Sequence, residues 1–376
     1  MHVSYTPFFH AKDGEFTALQ HSSKEQRAVT LPLFEIGRFT ENQRKLVRFK
    51  DEEVPMCAYL SWLADSICDV FPSGPVMVDT FSWQLEETTE TGEVPVAFAI
   101  NALLERDRSV VPVVGLDRWE SAEYQLALKS LNAEDFSSWS IRLDSADIED
   151  AADSEHFLER MEEVLQGLGL TTKQVGVLLD FGDVTGKTIE QIEEQAMRVF
   201  NLLGPSGYRF FSMVGCSMPP SINLAVKSPN SQGTIARKEM LAWRHVRAAN
   251  PALPIAYGDY GVRGPTSSDI QNPHINGKIR YSFQDAFFVA RGQSVQKDDG
   301  TQMYRLANIV ASSAHYQGPH FSWGDSELYR RAIREKKVGP GNSNSWIKFD
   351  TSHHLAWVVM EVAEVEHALT AAPVEV

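Results

Sequence analysis

Acidic residues recur just behind short apolar runs along this chain: Glu35 in LPLFEIG, Asp79 in VMVDTF, Asp117 in VVGLD, Asp144 in IRLDSAD, Asp180 and Asp183 in LLDFGD, and Asp259 in AYGDYG. Carboxylates that converge in one pocket repel one another, so they bind a cation, pair with an arginine or keep a proton. Oxygen-only ligands suit Mg or Mn rather than zinc, and such an ion polarises a phosphoryl oxygen or activates water. On this reading Asp79, Asp180, Asp183 and Asp259 are ligands of a divalent metal and Glu35 is the general base. Arg142 sits in an otherwise apolar run, where a guanidinium must be paired or meet an anion. It is the expected anion-binding residue, its alternative being an internal ion pair with Asp180 or Asp117. Tyr257, Tyr260 and Arg291 complete the expected substrate contacts. The competing reading of each aspartate is that it caps the following helix or shapes a turn.

A second constellation pairs Asp144 with Asp259 behind the fourth and seventh runs, as the two carboxylates that a glycosidase places across one bond. The segment GDVTGKT (Gly182 to Thr188) has three residues between its glycines where a phosphate loop has four, and Thr188 with Gln191 reads more simply as a capping box. Near the end, FSWGD, GPGNSNSW and SHHLAW concentrate Trp, Gly and His. Trp323 and Trp346 there are expected anchors for a protein partner. Adjacent His353 and His354 cannot face one site; one is expected to cap the last helix and the other to be exposed.

These residues need elements to position them. Eight apolar runs serve as strands: Val29 to Ile36, Val76 to Phe81, Val110 to Gly115, Trp139 to Leu143, Val175 to Asp180, Arg209 to Gly215, Leu253 to Tyr257 and Ile279 to Phe283. Helix-periodic segments separate them, at Met56 to Val70, Val96 to Arg106, Ala122 to Leu131, Glu155 to Gly167, Ile189 to Leu203 and Ile235 to Ala249. Nearly continuous apolar strands imply burial on both faces, the mark of a parallel sheet covered by helices. Eight units predict a closed (β/α)8 TIM-type barrel with extra C-terminal helices, the alternative being an open doubly wound parallel sheet. The expected organisation is a single barrel domain over 1–376: an N-terminal extension (1–28), eight βα units (29–291), then closing helices and a cap (292–376). In such a barrel ligands bind at the carboxyl ends of the strands, where the acidic residues lie.

Composition narrows the function classes. A formal net charge of -15 over 376 residues disfavours a broad nucleic-acid-binding or anionic-membrane surface. Three scattered cysteines give no disulfide framework. The start lacks the apolar stretch of a signal peptide and no run approaches the roughly 20 residues of a membrane span, so a cytoplasmic protein is expected.

The segments YTPFFHAKDGEFTAL, LPLFEI, LLDFGD, AYGDYG, the Arg291-Gly292 pair, FSWGD, the Gly341-Asn342 pair and the histidine pair together resemble the beta protein family of phages and bacteria. The likeness runs over nearly the whole chain, although GVRGP after Tyr260 departs from the family's pattern. It implies mobile-element cargo and a part in phage–host conflict or antiviral defence, and it assigns no reaction. The expected function is a metal-assisted hydrolase of a phosphate-containing or nucleotide-like substrate. The alternatives are a noncatalytic recognition or effector subunit and the carboxylate-pair glycosidase.

Overall fold

The computed structural model describes residues 3–266 and 275–371. Eight parallel strands close into a barrel: β1 (Tyr5–Phe9), β2 (Leu33–Glu35), β3 (Val76–Asp79), β4 (Val110–Gly115), β5 (Trp139–Leu143), β6 (Val175–Asp183), β7 (Phe210–Cys216) and, after the out-of-barrel β8 (Ser231–Ala236), β9 (Ile255–Asp259), which pairs with β1. The chain is therefore a (β/α)8 TIM-type barrel, and closure of β9 on β1 overturns the open-sheet alternative. Alternation sorts the side chains. Phe8, Leu33, Met77, Val113, Leu178 and Val214 fill the barrel, while Tyr5, Phe34, Val78, Val114, Leu179 and Tyr257 pack against the helices outside it.

The eighth barrel strand is not Ile279 to Phe283. It is the apolar YTPFF at the start, every residue of which is buried. The expected N-terminal extension thus holds a barrel strand, because β1 supplies the seam between β2 and β9. Pro7 lacks a ladder donor and marks such a run down as a strand, yet the barrel tolerates that one missing bond. The run at Ile279 belongs to β10 (Asn276–Phe283), which pairs antiparallel with β11 (Ala286–Ser294), and β11 with β8. Ile235, expected to begin a helix, lies in β8; that helix is Lys238–Ala249.

This three-stranded sheet roofs the barrel. Phe287 and Val289 on one face of β11 join the barrel's interior cluster. Phe288 and Ala290 on the other face join a third core with the helices Gln302–Ala311 and Trp323–Ala332. The last helix, Ser343–Ala371, begins well before the expected His354 and absorbs the end of the GPGNSNSW segment. The three cysteines are free thiols, and among the described residues no helix is long and apolar enough to cross a membrane.

The closing seam depends on Gly258. Paired with Thr6, it leaves no room for a side chain: an added Cβ would lie 2.9 Å from the Thr6 carbonyl oxygen and 2.6 Å from Val214 Cγ2. Gly258→Ala is expected to cost about 1–3 kcal/mol through overpacking, read as a lower urea midpoint with unchanged slope. An unaltered midpoint would show that the seam yields freely.

Candidate functional site at the carboxyl mouth of the barrel

Alternation along β2, β3, β5 and β6 turns Glu35, Asp79, Arg142 and Asp180 into the barrel, in register with the inward Leu33, Met77, Ser140 and Leu178. Arg142 is 1% exposed and lies at the centre. Its Nε donates to Asp180 Oδ2 (3.0 Å), Nη1 to Asp79 Oδ2 (2.8 Å), and Nη2 to Glu35 Oε1 (2.7 Å) and the Tyr260 hydroxyl (3.0 Å). Tyr260 in turn donates to Asp180 Oδ2 at 2.6 Å. The guanidinium is stacked near two rings, 4.1 Å from the Phe81 centroid and 5.0 Å from Phe8. Of the two open readings of Arg142, the internal ion pair is what the fold builds, and its fork is spent on carboxylates.

A second arginine, missed in the sequence although it adjoins Asp117, completes the network. Arg118 Nη1 donates to Asp79 Oδ1 at 2.6 Å and its Nε to Asp117 Oδ1 at 3.2 Å. The guanidinium can fold back because Gly115 lies beneath it: an added Cβ would stand 2.2 Å from Arg118 Nε. Asp79, wholly buried, thus touches two guanidiniums. Burial pushes its carboxyl up, but Arg118 and Arg142 outweigh that and hold it below its ordinary range. Glu35 behaves likewise: burial raises it, and Arg142 with His10 brings it net below the usual range. Asp180 goes the other way, because burial and the nearby Glu35 charge exceed what Arg142 and Tyr260 return. The network thus sets four carboxylates against two guanidiniums, and the surplus shows on Asp180 and Asp117, both of which are raised.

Two members of this network meet solvent, Asp117 and Glu35. The Glu35 side chain is 13% exposed, and its Oε2 lies 3.4 Å from Nδ1 of His10, itself 13% exposed. His10 Nε2 is 3.3 Å from the Gly264 carbonyl oxygen. His10 follows β1 directly, so it stands at a strand exit; it escaped notice because β1 itself did. At the opposite, amino end of the barrel lies a cavity of about 150 Å³ lined in part by Arg209, Arg247 and Glu366. None of the mouth residues reaches it.

The other expected site residues lie elsewhere. Asp144 caps the helix Ser145–Asp150, its Oδ1 accepting from the backbone of Ala146 (2.8 Å) and Asp147 (2.9 Å). Asp183 accepts from Thr185 N at 2.8 Å within its own turn. Asp259 shares the outward parity of Tyr257 and points out of the barrel, where it accepts from the Tyr5 hydroxyl (2.7 Å), Gly261 N (2.9 Å) and His354 Nε2 (2.9 Å). Asp144 and Asp259 therefore do not face each other across one pocket. Tyr257 is fully buried against Tyr5, its hydroxyl accepting from Arg237 at 3.0 Å. Arg291 donates to the carbonyls of Val226 and Lys227, tying down the chain before β8. The four aspartates expected to share a Mg or Mn ion face arginines, a turn and a histidine; among the described residues no three His, Cys, Asp or Glu side chains gather as metal ligands. That donor set does not fit a metal.

The C-terminal motifs are structural joints. Burial keeps His354 neutral despite Asp259 beside it, so with Asp259 ionised its Nε2 carries the proton and its Nδ1 accepts from the Ser282 hydroxyl at 2.6 Å. His353 is also buried, its Nδ1 2.8 Å from Asp325 Oδ2 and its Nε2 2.8 Å from the Ser282 carbonyl oxygen. Neither histidine is exposed, contrary to expectation. The expected interface anchors are engaged as well: Trp346 is 2% exposed and bonded to the Pro340 carbonyl oxygen, and Trp323 stacks on His21 at 4.0 Å.

The Beta protein family matches residues 5–360, so the chain belongs to the Beta protein family. No curated protein and no solved structure matches it.

Replacing Arg142 tests the network. Arg142→Met strands Glu35 and Asp180 as buried carboxylates without their cation, a loss of about 3–5 kcal/mol near neutral pH. In the native protein the depressed Glu35 and Asp79 stabilise above the unfolded carboxyl range of about 4, and that contribution fades as pH falls through their lower folded values. In the variant Glu35 and Asp180 are raised by burial, so its deficit should shrink as pH falls toward about 5. Urea unfolding across this range reads it; a deficit independent of pH would contradict the network.

Proposed function

We propose that this member of the Beta protein family is a hydrolase that works by acid–base chemistry at the barrel mouth, without a resident metal. The observation that carries the reading is the placement of Glu35: fixed on one oxygen by Arg142, 3.4 Å from His10 on the other, and in contact with solvent. Glu35 takes a proton from a water molecule, the resulting hydroxide attacks the substrate's electrophilic centre, and the bond to the leaving group breaks. His10, adjacent to Glu35, is the group that passes a proton to the leaving oxygen. Arg142, Asp180 and Tyr260 act as positioning residues, since each touches Glu35 or holds a group that does. Arg142 and His10 keep Glu35 ionised through the neutral range, so it is free to accept a proton, with a lower basicity than a carboxylate raised toward neutral pH has.

Two competing readings find less support. The glycosidase pair needs Asp144 and Asp259 to flank one bond, and one caps a helix while the other lies outside the barrel. The recognition subunit needs exposed aromatic anchors; Trp346 is in the core, and the half-buried Trp323 is stacked on His21. A part in phage–host conflict rests on the family's distribution and adds no residue to this account.

Hydrolysis of a panel of chromogenic phosphoesters, carboxylic esters and glycosides, run with EDTA present, tests the proposal. Turnover of at least one class should persist in EDTA, fall by about 10²- to 10⁴-fold in Glu35→Gln, and survive in Asp144→Asn. Absence of turnover in every class, or turnover that needs a divalent ion and ignores Glu35→Gln, would overturn it.

A further inference from the structure

The barrel mouth has an acidic floor, but the sheet that roofs it is basic. On the barrel-facing side of β10 and β11, Lys278 pairs across from Arg291, Arg280 from Val289 and Ser282 from Phe287. Three of these residues already have fixed roles. Arg291 holds the carbonyls of Val226 and Lys227, and Ser282 bonds His354. Arg280 donates from Nε to Asp350 Oδ2 at 3.0 Å and from Nη1 to the Val262 carbonyl oxygen at 2.9 Å.

Lys278 differs. Its side chain is half-buried, and among the described residues its ammonium has no hydrogen-bond or ion-pair partner. The charges that act on it are Arg280, Asp350 and Arg263. Arg263, 8% exposed, lies 3.9 Å from the buried Glu15, whose Oε2 has no hydrogen-bond partner. A half-buried ammonium without a counter-ion is costly, and burial with the two arginines pushes Lys278 down to about 8. Arg263, whose charge acts on the lysine, adjoins Gly264, and the Gly264 carbonyl contacts His10.

We propose that Lys278 is the cation of an oxyanion-binding subsite in the roof of the mouth, which seats a phosphate or carboxylate group of the molecule acted on at Glu35 and His10. The inference rests on the hydrolase reading for its purpose, and on the unpartnered ammonium for its existence. It narrows the substrate class to small molecules with an acidic group at one end and the hydrolysed bond at the other. The guanidiniums nearby are committed to carboxylates and carbonyls, so recognition is by a point charge rather than by an arginine fork.

The test is competitive amine labelling of the full chain. The protein is acylated slowly near pH 8 with an uncharged acetylating ester, alone or with inorganic phosphate or acetate, and each lysine is followed by peptide mass spectrometry. Phosphate, acetate or both should slow acetylation of Lys278 several-fold and leave the exposed Lys173 unaffected; the more protective anion identifies the acidic group. The protective anion should also raise the thermal midpoint of the native protein and of Lys278→Arg, but not of Lys278→Met. Equal labelling of Lys278 with and without both anions, or an equal midpoint shift in Lys278→Met, would overturn the subsite. Protection that persists in Glu35→Gln, in a protein that hydrolyses nothing, would sink the hydrolase reading and leave the subsite standing. Hydrolysis without protection would do the reverse.

Discussion

Burying a guanidinium inside a barrel is the constraint around which this molecule is arranged. Removed from water, Arg142 must have every donor direction answered, and the answers come from the ends of three other strands and from the residue just past a fourth. Parity along the strands is what allows this, because Glu35, Asp79, Arg142 and Asp180 all fall on inward positions. The rings of Phe8 and Phe81 cover the guanidinium, so its ion pairs are made where water competes little. Such a network adds little net stability but specifies geometry. It holds Glu35 by one oxygen and leaves the other beside His10.

A second ionic joint fastens the C-terminal helix to the outside of the same barrel. Asp259 gathers Tyr5, His354 and the backbone of Gly261, and Arg237 lies nearby, bonded to Glu361 of the C-terminal helix at 2.6 Å. The two joints leave β9 and the residue after it from opposite faces: Asp259 outward, Tyr260 inward. A one-residue shift of that strand would exchange them and break both. The pairing of β9 with β1, which needs Gly258, therefore fixes the register on which floor and cap both depend.

Much of this was legible in the sequence, and the failures have physical causes. The runs VVPVVG and WSIRL are buried on both faces and read directly as barrel strands. YTPFF does not read as a strand because it lacks the Val and Ile that mark every other run, and His10 behind it is lost with it. IRYSF, of the right length and with Ile, Tyr and Phe alternating, reads as the last barrel strand because hydrophobicity cannot separate a roof strand from a barrel strand. At the site, Glu35 is legible as a strand exit, and the cost of an unpaired buried charge leaves Arg142 between a bound anion and an internal ion pair, a choice that only the fold makes. Asp144 and Asp259 could not be judged, since a carboxylate behind a strand looks the same whether it points into the mouth, caps a helix or holds a histidine. Arg118 was hidden for a related reason: only the bare backbone of Gly115 shows that the side chain folds back to Asp79.

The central claim is that the Arg142 network leaves Glu35 ionised at the mouth while the charge surplus settles on Asp180 and Asp117. Carboxyl-carbon NMR titration of the protein labelled at Asp and Glu, with Glu35→Gln, Asp79→Asn and Asp180→Asn for assignment, measures this directly. Glu35 and Asp79 should titrate below the ordinary carboxylate range and Asp180 above it. A Glu35 that titrates above that range, protonated where its neighbours are charged, would contradict the account.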